Sequence, residues 1–110
     1  MNSDDRARRD IMILRAMVTR LESIPGGDDD DAVCERMALR AEWNNDVAKI
    51  DRLDACMERG ELSPERLDEL AGVARALTDL LPMMTARRYH VPDPEALARL
   101  AGRPAAAQPS

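Results

Sequence analysis

Four adjacent carboxylates, Asp28 to Asp31, are the first group in this chain that could do chemistry, because clustered acids bind cations. A calcium-binding loop alternates its oxygen ligands, carries a glycine at its turn and ends in a distal glutamate. Here Ala32 and Val33 follow the run directly. The spacing therefore predicts that one aspartate caps a helix and that the others lie at its positive end, with no metal bound.

A second candidate is Arg87-Arg88-Tyr89-His90, the only basic run in the chain that contains an aromatic residue. Arg87, Arg88 and Tyr89 could contact the phosphates and bases of a nucleic acid. The alternative is that the run closes a helix end and packs its ring locally. His90 is the only histidine, which removes the usual imidazole pair of a zinc site.

The two thiols, Cys34 and Cys56, could join two copies of the chain and so make a redox-responsive dimer. For Cys34 the alternative is a plain small apolar side chain or a surface thiol. The sequence contains no glycine-rich phosphate loop, and no nucleophile lies beside a base in a recognisable pattern. We therefore predict no catalytic residue, no cofactor and no enzymatic activity.

The elements that must position these groups are helices. Apolar residues at helical spacing, with few β-branched residues, predict an all-α fold. We expect an antiparallel bundle of three main helices over residues 4–23, 31–59 and 64–81, followed by short helices bounded by prolines. Residues 1–102 should form a single helical domain, and residues 103–110, which are rich in Ala and Pro, a disordered tail.

The helix over residues 31–59 is predicted to be unbroken and central, because it carries two apolar stripes. The main stripe contains Leu39, Trp43, Val47, Ile50, Leu53 and Met57; the second, made largely of small residues, contains Met37, Ala41, Asn44, Ala48, Asp51 and Ala55. Two stripes require two neighbouring helices, so the third main helix should pack antiparallel on the central one. Asp46 shares the register of the main stripe: it either pairs with Arg6, Arg9, Arg15 or Arg66 and sets the register, or points outward while Val47 is buried.

Helix-end signals complete the prediction. Ser3 is expected to cap the first helix, and Ser63 followed by Pro64 to open the third. Gly60 should end the central helix and Gly102 a short helix that begins after Asp93. Pro82 should end the third main helix near Leu81 or kink it.

Overall charge and composition limit the partners. The formal net charge is −5, with 21 acidic and 16 basic residues, so the whole molecule repels nucleic acid and anionic membranes. No stretch approaches the roughly 18 apolar residues of a membrane span. The N-terminus is too acidic for a signal peptide, so we expect a cytoplasmic protein that does not act at a membrane.

The leading functional hypothesis is a non-enzymatic interaction or assembly subunit that binds itself or another protein through apolar helix faces. The core is expected to be thin, since Trp43 and Tyr89 are the only aromatic residues. The predicted partner-binding residues are Trp43, Met57, Met83, Met84, Leu97 and Leu100. The alternatives are a subunit of a nucleoprotein complex that contacts the nucleic-acid backbone through Arg87 and Arg88, and a redox-responsive dimer.

Overall fold

A computed structural model describes residues 2–102 and contains five α-helices in this part of the chain, without a β-strand. In chain order the helices are α1 (Ser3–Glu22), α2 (Asp30–Asp46), α3 (Ala48–Glu58), α4 (Pro64–Ala86) and α5 (Pro94–Leu100). The prediction of an all-α fold is confirmed. The tail predicted over residues 103–110 lies outside the described residues.

α1 buries one apolar face at helical spacing, namely Ala7, Ile11, Leu14, Val18 and Leu21, with Met17 beside them. Its cap differs by one residue from the prediction. The side chain of Asn2, rather than that of Ser3, accepts a hydrogen bond from the backbone N–H of Asp5 at 2.8 Å. Asn and Ser are equally good caps, so the two choices could not be separated by residue type.

The predicted unbroken central helix is wrong, because α2 ends at Asp46 and α3 begins at Ala48. Val47 stays in the right-handed helical region, but its carbonyl accepts from Ile50, three residues on, at 3.1 Å. The break falls in Asn44-Asn45-Asp46-Val47, four residues with modest helix propensity. Hydrogen bonds to a distant segment also occur at this break, because Asn44 and Trp43 both hydrogen-bond to His90.

The helices are arranged around α1, and the predicted antiparallel three-helix bundle is not confirmed. α1 contacts α2 and α3 and packs along α4, while α5 packs on α3 and α4. α4 therefore pairs mainly with α1 and α5, and the predicted hairpin between the central helix and the next one is not found. Both segments of the central helix instead share α1 as a neighbour.

One hydrophobic cluster joins all five helices. From the main stripe, Leu39, Trp43, Ile50 and Leu53 are buried in this cluster, while Val47 and Met57 are half-buried against it. The second stripe has no covering helix: Met37, Ala41, Asn44, Ala48 and Asp51 are exposed, and Ala55 is half-buried. The expectation of a second neighbour for this face is therefore wrong within the described chain.

α4 continues through Pro82 to Ala86, so the predicted end near Leu81 is wrong, and the alternative of a kink at Pro82 remains a prediction. Burial favours the extra turn, because Met84 is completely buried and a buried apolar side chain offsets the hydrogen bond that a proline removes. Ser63 and Asp93 cap α4 and α5 as predicted, each followed by proline at the first helical position. No helix in the described part of the chain has the length and apolar character of a membrane span.

The end of α4 places a strained residue in front of Tyr89. Arg88 has φ of 62°, its N–H donates to Thr85, and the N–H of Tyr89 donates to Met84. This is the hydrogen-bond pattern of a helix end that glycine usually occupies. Gly60 and Gly102 have the corresponding positive φ at the ends of α3 and α5, so α4 alone makes this turn with a residue that carries a Cβ.

We expect Arg88→Gly to stabilise the chain by about 0.5–1 kcal/mol relative to Arg88→Ala, because glycine adopts positive φ without steric cost. Both variants remove the exposed guanidinium, so the comparison isolates the backbone. Urea unfolding followed by circular dichroism measures the difference. An Arg88→Ala variant as stable as Arg88→Gly would show that this turn is not strained.

Three buried charged residues connect the helices. Asp10 of α1 pairs with Arg52 of α3 at 3.2 Å, and Asp54 of α3 pairs with Arg99 of α5 at 2.7 Å. Arg66 of α4 reaches three carboxylates, of Asp4, Glu65 and Glu69. Each buried charge thus has an opposite charge beside it, as burial requires.

Candidate functional site

The structure places the predicted partner-binding residues mainly in the core. Trp43, Met84, Leu97 and Leu100 are almost completely buried, and Met57 and Met83 are half-buried against the same cluster. These side chains already pack within the chain. An interaction surface must therefore be sought among residues that the fold leaves exposed.

The predicted nucleic-acid residues are divided between surface and core. Arg87 and Arg88 are exposed, whereas Tyr89 is only 5% exposed and belongs to the core cluster. A buried ring cannot serve as a stacking platform for a base. The run closes the end of α4 and packs its ring locally, which was the alternative interpretation of the sequence.

The acidic residues also have structural partners. Asp29 caps α2 by accepting from the N–H of Ala32 at 2.8 Å, as the sequence predicts. Asp46 pairs with Lys49 at 2.9 Å, and its side chain is only 15% exposed. Neither predicted outcome for Asp46 is found, because it neither meets a distant arginine nor faces water. Among the described residues, no group of three or more His, Cys, Asp or Glu side chains could hold a metal ion.

The two thiols of the redox hypothesis are free in the described structure. Cys34 is exposed near the start of α2, and Cys56 is half-buried in α3. Cys56 accepts a long contact of 3.6 Å from the guanidinium of Arg59. The pairing of Cys34 with Cys56 between two chains remains a prediction.

A cleft lined by three arginines lies between α2 and the residues that follow α4. Residues from α2 and from the end of α4 enclose about 250 Å³. We call this site the arginine cleft, and its lining residues are Val33, Arg36, Met37, Arg40, Arg87 and Tyr89. Residues that are far apart in sequence therefore meet in one concave site.

Helical spacing determines the α2 side of the arginine cleft. Arg36 and Arg40 are four residues apart, as are Val33 and Met37, so each pair lies on one helix face. Val33 is 37% exposed and Met37 is 57% exposed. The cleft therefore combines positive charge with an apolar rim, which we define as Val33 and Met37.

Hydrogen bonds hold both sides of the arginine cleft in place. The guanidinium of Arg36 donates to the carbonyls of Pro25 and Gly27, at 2.9 and 2.8 Å. On the other side, the indole of Trp43 donates to the carbonyl of His90 at 2.7 Å. Asn44 accepts from the N–H of the same residue at 3.0 Å. The segment that carries Arg87 and Tyr89 is thus fixed to α2.

The arginine cleft has an uncompensated positive charge. Arg36, Arg40 and Arg87 form no salt bridge with any described residue. All three are close enough to act electrostatically on the hydroxyl of Tyr89. Burial raises the pKa of this hydroxyl, and the three positive charges partly oppose the rise. The hydroxyl is buried without a hydrogen-bond partner in the described structure.

This arrangement can bind an anion. Guanidinium groups recognise carboxylates and phosphates through paired N–H donors, and a neutral tyrosine hydroxyl can donate one more hydrogen bond. The sequence pattern predicts Arg87 and Tyr89 as nucleic-acid contacts and gives no prediction for Arg36 and Arg40. The available signal was the i, i+4 arginine pair beside Val33 and Met37, which could not be interpreted while this face was expected to be covered by a helix.

A second open groove of about 490 Å³ lies between α4 and α5. It is lined by Leu81, Pro94 and Ala101, among others, and its two charged residues, Arg75 and Asp79, have opposite signs. The groove therefore has no net charge that would select a partner.

Comparison of the chain with protein-family models, with curated protein sequences and with solved structures gave no match.

Proposed function

We propose that this chain is a non-enzymatic helical interaction subunit that binds an acidic segment of another protein at the arginine cleft. The observation that carries the proposal is the apolar rim, with both its residues exposed, beside three arginines that lack ion pairs. Exposed apolar residues next to unpaired charge are typical of surfaces that bind proteins.

Charge favours a different protein over a second copy of this chain. A symmetric dimer would place the same patch on both partners, so a contact centred on the apolar rim would bring arginines against arginines. Like charges across an interface cost binding free energy. The net charge of −5 also makes two copies repel each other. An acidic partner segment places carboxylates opposite the arginines and so avoids the like-charge contact at the cleft.

Two matched variants test the proposal. Met37→Glu places a negative charge on the apolar rim, and Met12→Glu makes the same change on α1, where Met12 is 59% exposed. Tagged forms of both variants and of the unchanged chain are used for quantitative affinity purification from the native host. We expect a defined protein with an acidic segment to be retained by the unchanged chain and by Met12→Glu, and to be lost with Met37→Glu.

The purified unchanged chain and both variants should be monomeric by light scattering over a wide concentration range. A protein set that is identical for Met37→Glu and Met12→Glu would contradict the proposal. A dimer of the unchanged chain that Met37→Glu dissociates would also contradict it, since the occupant of the cleft would then be a second copy.

A further inference from the structure

We infer that the arginine cleft is a binding site for a phosphate monoester group, held by Arg36, Arg40, Arg87 and the hydroxyl of Tyr89. The inference rests on the proposed function for the source of the group, which is a phosphorylated side chain of the partner segment. The site itself depends only on the four side chains and their surroundings.

The number of unpaired charges indicates which anion fits best. A carboxylate carries one negative charge, and it would leave two of the three arginines uncompensated. A phosphate monoester carries about −1.5 to −2 charges at pH 7 and has three strong acceptor oxygens. A phosphate therefore compensates more of the positive charge than a carboxylate does, and its oxygens can accept from the guanidinium groups and the hydroxyl together.

Tyr89 provides an independent indication of a ligand. A buried hydroxyl without a partner is unfavourable, and Tyr89 is 95% buried with its oxygen unpaired in the described structure. Arg40 and Arg87 line the cleft together with Tyr89 and are exposed, and a change of rotamer in these two side chains would admit an anion to the hydroxyl. A phosphate oxygen would supply the missing acceptor.

The shape of the site favours a terminal phosphate over the backbone of a nucleic acid. The cleft of about 250 Å³ is concave and carries the apolar rim, which suits a single phosphate group of the partner segment with apolar side chains beside it. A nucleic acid would gain from an exposed ring on which a base could stack. The ring of Tyr89 is buried in the core and does not provide one.

Calorimetry at constant ionic strength tests the inference on the full chain. The probes are inorganic phosphate and three pentapeptides, Ala-Leu-X-Leu-Ala, in which X is phosphoserine, glutamate or serine. We expect saturable binding of the phosphoserine peptide, competition by inorganic phosphate, and affinity for the glutamate and serine peptides at least about tenfold lower, because one charge-assisted hydrogen bond is worth that factor.

Variants assign this binding to the cleft. Tyr89→Phe and Arg40→Gln should each lower the affinity for the phosphoserine peptide about tenfold. Arg8→Gln, which changes an exposed arginine of α1, should leave this affinity unchanged. Circular dichroism confirms that each variant is folded. Equal binding of the glutamate and phosphoserine peptides, no saturable binding, or no effect of Arg40→Gln and Tyr89→Phe would each overturn the inference.

An oligonucleotide distinguishes the remaining source of phosphate. The inference would fail if the oligonucleotide bound more tightly than the phosphoserine peptide and if Tyr89→Phe left the affinity for the oligonucleotide unchanged. The site would then contact the nucleic-acid backbone. Failure of the proposed function looks different. In that case the phosphoserine peptide would still bind, while no host protein would distinguish Met37→Glu from Met12→Glu.

Discussion

Trp43→Ala should lower the free energy of unfolding by about 4 kcal/mol, which is the typical cost of replacing a buried tryptophan by alanine. Trp43 has no exposed surface, and its indole donates to the carbonyl of His90 at 2.7 Å. The substitution leaves a cavity and also releases the segment after α4 from α2. Because small domains are stable by only about 5–15 kcal/mol, the variant should lose a large share of its folding stability.

Trp43→Phe separates the two contributions of this residue. It keeps a ring in the core but removes the hydrogen bond to His90, and we expect a loss of about 2 kcal/mol. Met12→Ala, which truncates an exposed side chain of α1, should change stability by less than about 0.5 kcal/mol. Urea unfolding followed by circular dichroism measures all three. A cost below about 1 kcal/mol for Trp43→Ala would show that α2 is not anchored through this side chain.

Arg66→Ala should cost about 2–3 kcal/mol, because it removes a buried cation from between carboxylates of α1 and α4. Arg66 is 7% exposed and lies 2.6 Å from Glu69 and 3.6 Å from Asp4. Without the guanidinium, these carboxylates repel each other. This cost in stability is lower than that of breaking a fully buried ion pair, because the carboxylates are partly exposed and regain water.

The cost of Arg66→Ala should decrease in acid. The backbone N–H of Ser63 is the main cause that holds the pKa of Asp4 below its ordinary value of 3.8, and Arg66 contributes. Ionised Asp4 therefore stabilises the fold above that value, and this stabilisation is lost as the pH falls through the lower pKa of the folded state.

Arg20→Ala is the control for this prediction, because Arg20 forms an exposed pair with Glu42 between α1 and α2. It should cost less than about 1 kcal/mol. Denaturant titrations of both variants between neutral pH and pH 3 give the comparison. A similar cost for the two arginines at neutral pH would contradict the structural role of Arg66.

The helical parts of the fold could be predicted because their signals are local. The apolar stripe of α1, the Ser63-Pro64 start of α4 and the glycine at the end of α3 each lie within a few residues of the feature they specify. The break at Val47 could not be predicted in the same way. Weak helix formers occur inside many intact helices, and the break coincides with hydrogen bonds between residues more than 40 positions apart: Trp43 donates to the carbonyl of His90, and the N–H of His90 donates to Asn44.

The candidate site was only half predictable for the same reason. Arg87 and Tyr89 are conspicuous in sequence because both lie in the short run Arg87-Arg88-Tyr89-His90, whereas Arg36 and Arg40 resemble ordinary solvent-facing residues of a helix. Periodicity predicted that Met37 and Ala41 would be covered by a neighbour. It does not indicate which helix supplies the cover, and in the fold α4 packs along α1 and leaves this face open.

Nuclear magnetic resonance of the labelled chain, titrated with the phosphoserine peptide, tests the central claim most directly. The claim is that the open face of α2 and the end of α4 form one binding site. We expect shifts in the backbone signals of residues 33–40 and 87–90 and in the side-chain N–H signals of Arg36, Arg40 and Arg87, with one common affinity. Shifts spread evenly over the arginines of the whole surface, or confined to the groove between α4 and α5, would contradict the claim.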